Sequence, residues 1–141
     1  MRIHLSVSMA VSMTASMAAL LLLSVTPMRA HHSFEAEYDE KKPVSLAGAV
    51  SKVDWMNPHI WVHIEVKDDK GAVAVWSCEG GNPNSLRRNG WQRDTLKAGD
   101  QVTIAGFRAK DGTNTCNMRS VKFADGKKVF AGSSGDGGPQ Q

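Results

Sequence analysis

The residues best suited to chemistry in this chain are its histidines. Apart from His4 they form two pairs, His31-His32 and His59 with His63. A proteolytic cut after Ala30 would make His31 the first residue, with a free α-amine and an imidazole. Those two nitrogens can chelate one ion, and a third nitrogen from another imidazole completes a T-shaped set that suits copper. The α-amine has an ordinary pKa near ~8, so copper can displace its proton at neutral pH. By analogy of chemistry this is the histidine brace of other exported copper proteins. His59 and His63 lie four residues apart on a predicted strand, which separates their α-carbons by roughly 13 Å. Only one of them can therefore join His31, with His32 or a carboxylate such as Glu35 or Glu79 as a further ligand. In the metal-free alternative, His59 hydrogen-bonds the loop after Pro58, and His63 is a half-exposed strand residue.

A second set of residues suits binding without a metal. Trp61 and Trp91, with Glu79, Arg87 and Arg88 nearby, could form a stacking and ion-pairing surface for a small ligand or a protein. Arg93 adds to the basic patch, whereas Trp76 is assigned to the core. The chain has no CxxC, no glycine-rich phosphate loop, no HExxH and no nucleophile elbow, so no catalytic residue is assigned. The expectation is a binding protein and not an enzyme.

These residues have to be positioned by a single small domain, since 141 residues are too few for two ordinary ones. Hydrophobic residues make up 41% and charged residues 22%, a balance that favours folding over disorder. Residues 1–30 read as a signal peptide: Arg2 near the start, an apolar run from Met9 to Val25, Pro27 as a break, and Ala30 at the cut. An uncleaved anchor is the alternative, because the run is nearly long enough to span a bilayer. With cleavage, the product is periplasmic or secreted, with no stable membrane insertion. Removing Arg2 and Arg29 leaves 15 basic against 14 acidic side chains. Such a domain lacks the positive field that a nucleic-acid partner requires. Export also favours pairing of Cys78 with Cys116, the alternative being two separate buried thiols.

Along the exported part, residues 31–43 alternate aromatic and acidic side chains, as an extended arm would. Residues 44–130 carry the β-pattern. Val44, Leu46 and Val50 share one parity and Val53 and Trp55 the other, which predicts a bulge near Ser51-Lys52. His59 to Lys67 alternates cleanly, with Ile60, Val62, Ile64 and Val66 inward. The turn Asp68-Asp69-Lys70-Gly71 suits a type I hairpin with Gly71 left-handed, pairing Val62 with Cys78 and Ile64 with Trp76. Glu79 then lies opposite Trp61. Asn82-Pro83 opens a short helix that Gly90 stops. Strands follow at Gln101–Phe107 and Thr115–Phe123, with a last short one ending at Phe130. Residues 131–141 are Gly/Ser-rich, the composition of a disordered tail. The fold class is all-β with one short helix. Its order matches a five-stranded Greek-key barrel of the OB type, with a two-layer β-sandwich as the alternative.

Several of these segments together are similar to an uncharacterised family of small exported bacterial proteins, a domain of unknown function. They are His31-His32-Ser33-Phe34, Asn57-Pro58-His59-Ile60-Trp61, Arg88-Asn89-Gly90-Trp91 leading to Leu96-Lys97-Ala98-Gly99-Asp100, and Ala109-Lys110-Asp111-Gly112. The likeness runs from His31 to about Phe130. It implies an exported, OB-like barrel and brings no activity with it. Cys78 and Cys116 lie outside the pattern.

Overall fold

The structure is a computed structural model that describes residues 34–133. The leader, the His31-His32 pair and residues 134–141 lie outside the described residues. The elements in chain order are α1 (Phe34–Glu37), β1 (Tyr38–Asp54), β2 (Trp61–Lys67), β3 (Val73–Glu79), α2 (Pro83–Arg88), β4 (Gln101–Ala109), β5 (Thr115–Phe123) and β6 (Lys128–Phe130).

The strands form one sheet in the order β3-β2-β1-β4-β5-β6, with an additional parallel pairing of β3 with β5. Five strands therefore pair in a ring, and β6 is appended to β5. The inward side chains bury each other: Val50, Val62, Ile64, Cys78, Ile104 and Met118 are all nearly or fully inaccessible. Cys78 and Cys116 are direct partners in the parallel seam and are joined by a disulfide, with α-carbons 4.5 Å apart.

Local sequence explains most elements. Between β1 and β2 the register shifts between Val50 and Lys52, so Ser51 is the extra residue. The bulge lets Leu46 and Val50 on one side of it, and Val53 and Trp55 on the other, all pack on one core. In the β2–β3 hairpin, Gly71 takes φ +83° and its N–H donates to Asp68 O at 3.0 Å. That positive φ is open to glycine at little cost. The resulting pairs are Trp61 with Glu79, Val62 with Cys78, His63 with Ser77 and Ile64 with Trp76. Helix α2 is capped by Asn82, whose side chain accepts from Asn84 N at 2.8 Å, and Pro83 occupies its first turn.

Two expectations need correction, and a third, Trp76 in the core, holds in part. The arm does not begin extended: Phe34–Glu37 make one helical turn, and β1 then starts at Tyr38 rather than Val44. One turn puts residues four apart on the same side, so Phe34 stacks on Tyr38 with ring centroids 5.7 Å apart. The arm expected over residues 31–43 has no boundary at its last residue, since Pro43 sits within β1, where the β1–β4 register shifts between Tyr38 and Pro43. Trp76 packs against the core without being fully buried, and the Arg108 guanidinium lies 5.2 Å from its ring centre.

Candidate functional site

His59 is placed by the chain on either side of it. The Pro58 carbonyl accepts from Asn82 Nδ2 at 3.2 Å, tying the turn to the cap of α2. Ile60 then donates to Gly81 O at 3.1 Å and accepts from Gly80 N at 2.9 Å. The approach is close enough that a Cβ on Gly80 would stand 2.7 Å from Ile60 Cγ1 and 2.8 Å from Met118 Cε. Glycine at that position is a packing requirement.

Held there, His59 meets the carboxylate of Glu79, with Nδ1 2.5 Å from Oε1. The contact is an ion-pair distance rather than an in-line hydrogen bond, since Nδ1 has no well-aligned acceptor. The other oxygen, Oε2, accepts from the Tyr38 hydroxyl at 2.5 Å. Tyr38 is buried, and desolvation of its phenol raises the pKa far above the ordinary value, with the Glu79 hydrogen bond and charge adding to the rise. A phenol held neutral stays a donor, so Tyr38 fixes one oxygen of Glu79 while the other faces His59. Nε2 of His59 makes no hydrogen bond among the described residues. The side chain is 24% exposed.

His63 is in a different position. Its Nδ1 lies 2.9 Å from Ser77 Oγ and its Nε2 lies 3.0 Å from Asp54 Oδ2. Lys52 Nζ sits 2.7 Å from the other Asp54 oxygen. The Lys52 hydrogen bond, and then the one from His63, hold the Asp54 carboxyl below the usual carboxylate range. His59, before β2, and His63, on β2, thus serve separate carboxylates.

The remaining candidates divide. Trp61 is half-buried and lines a pocket of about 560 Å³ with Tyr38, Glu37, Lys110, Asp111 and Thr115. Arg87 and Arg88 are exposed in the last turn of α2. Trp91, expected on a ligand-facing surface, belongs to the core: it is 2% exposed and its indole N–H donates to Phe130 O at 2.7 Å. The left-handed Gly90 turns the chain back over α2, and a large apolar ring is best accommodated inside. Among the described residues no three His, Cys, Asp or Glu side chains gather closely enough to hold a metal ion, and no helix is long and apolar enough to cross a membrane. His31 and His32 lie outside those residues.

Sequence reasoning overlooked Tyr38, Asp54 and Ser77. The signal for Ser77 was present, because pairing Val62 with Cys78 sets Ser77 opposite His63. Asp54 needed the Ser51 bulge to be counted when β1 was laid beside β2.

Residues 19–118 match the model of a family of unknown function (DUF6152). No curated protein and no solved structure matches the chain.

Proposed function

Because this chain belongs to a family of unknown function, its role has to be read from its own residues, and we propose that it is an exported binding protein that holds copper. The ligands are the α-amine and imidazole of His31, freed by cleavage after Ala30 in the periplasm, and Nε2 of His59. The observation that carries this reading is the unequal state of His59, just before β2, and His63, on β2. Both ring nitrogens of His63 have partners, whereas His59 has a carboxylate at Nδ1 and, among the described residues, no partner at Nε2. A carboxylate behind the non-ligating nitrogen is the usual support of a metal-bound histidine.

His31 stands three residues before Phe34, which stacks on Tyr38. The Tyr38 hydroxyl in turn shares the Glu79 carboxylate with His59. We also read the ring of strands as a Greek-key barrel of the OB type. Its support is the return of the pairing through the parallel β3–β5 seam, with α2 between β3 and β4. The rival, a metal-free binding surface, has lost Trp91 to the core and keeps Trp61, Arg87 and Arg88.

The test is Cu(II) titration of protein beginning at His31, beside protein with one extra residue before it. Copper should bind the first and bind the second at least tenfold more weakly. His59→Ala should weaken binding and His63→Ala should not. Equal binding by the two N-termini overturns the reading, as does dependence on His63 alone. Mass analysis of the exported protein checks the cleavage position.

A further inference from the structure

The hydrogen bonds around His63 have a fixed polarity. Asp54, held ionised by Lys52, can only accept, so the Nε2 beside it carries the proton. In the neutral ring, Nδ1 then bears the lone pair, and the Ser77 hydroxyl at 2.9 Å donates to it. The sequence of contacts is hydroxyl to imidazole to carboxylate, the arrangement that activates a serine for attack. Three adjacent strands supply it: Asp54 from β1, His63 from β2 and Ser77 from β3. Ser77 and His63 are both partly exposed. The next residues on the same face, Trp61 on β2 and Thr115 on β5 (the partner of Ser77), line the pocket of about 560 Å³.

We infer that Ser77 is a nucleophile toward small carboxylic esters, with His63 as its base and Asp54 as a positioning residue. This is independent of copper, since His63 has no part in the proposed metal site. In the step, Ser77 Oγ bonds to the ester carbonyl carbon and its proton passes to His63 Nδ1. The acyl–oxygen bond breaks and the leaving alkoxide takes that proton as an alcohol. Water, deprotonated by the same Nδ1, then cleaves the acyl-serine, releasing the acid and restoring the hydroxyl. The apolar part of the ester would lie against Trp61.

The experiment uses a fluorophosphonate, which reacts by the same attack with loss of fluoride in place of alkoxide, and peptide mass mapping of the folded protein. Labelling should fall on Ser77. Ser77→Ala should abolish it, and His63→Gln should slow it by about 10²-fold. Ser51→Ala should leave it unchanged, because among the described residues that hydroxyl donates to the His63 backbone carbonyl, at 3.1 Å, and not to its ring. Asp54 and, through it, Lys52 on β1 are the charged groups at the imidazole, and Glu65 on β2 and Glu79 on β3 lie on the same face of the sheet by register. Asp54→Asn should slow labelling of Ser77 and Asp54→Glu should restore part of the rate, which a purely structural role would not do. Thermal melts of each variant verify folding. The inference is overturned if Ser77 in the folded protein reacts no faster than Ser51. It is equally overturned if His63→Gln, still folded, labels at the wild-type rate.

Discussion

Replacing both cysteines, Cys78→Ala with Cys116→Ala, is the most informative perturbation of the fold. The bond crosses the parallel seam of β3 and β5, the pairing through which the ring of strands returns to itself. The two residues are 38 apart in sequence. Closing a loop of that length in the unfolded chain removes entropy worth about 4 kcal/mol at 25 °C. Domains of this size are stable by only about 5–15 kcal/mol. At about 4–8 °C per kcal/mol, the double variant should melt some 15–30 °C lower. Calorimetry under non-reducing conditions measures the drop, and adding reductant should lower the wild-type transition while leaving the variant unchanged. A variant melting within about 3 °C of wild type, a change worth less than 1 kcal/mol, would refute the claim that this crosslink secures the seam. Function enters the same experiment, because Ser77 and Glu79 flank Cys78. Loosening the seam should slow labelling at Ser77 and weaken the proposed copper binding at His59 together.

Tyr38 is the one tyrosine of the chain, so its ionisation can be followed directly by ultraviolet absorbance. Its folded pKa lies above the ordinary value near ~10, so its contribution to stability is fully present below that pH and is lost as pH rises further. Tyrosinate absorbance should therefore appear only with alkaline unfolding, and a reversible transition near the ordinary pKa in folded protein would contradict the burial argument. Trp91→Ala should cost about 3–5 kcal/mol, as removal of a large core ring does, whereas a surface role predicts a change within about 0.5 kcal/mol. Chemical denaturation separates those two outcomes.

The features legible in the sequence are those set by near neighbours. The parity change from Val50 to Val53 marks the Ser51 bulge, and Gly71 sets the hairpin register. Asn82, Pro83 and Gly90 bound α2. Each reflects backbone preference or side-chain alternation over a few residues, which are properties of the chain itself. The pairing of His63 with Ser77 follows from the same register arithmetic. What required the tertiary structure is every contact between strands remote in sequence. Alternation suggested an extended arm, but aromatic stacking of Phe34 on Tyr38 favours a helical turn. Trp91 follows a glycine in a polar, basic stretch, and only the position of Phe130 made its burial satisfiable. Tyr38, His59 and Glu79 come from three separate segments and meet because the strands return on themselves. A local pattern decides which way a side chain points; the closure of the ring decides what it finds there.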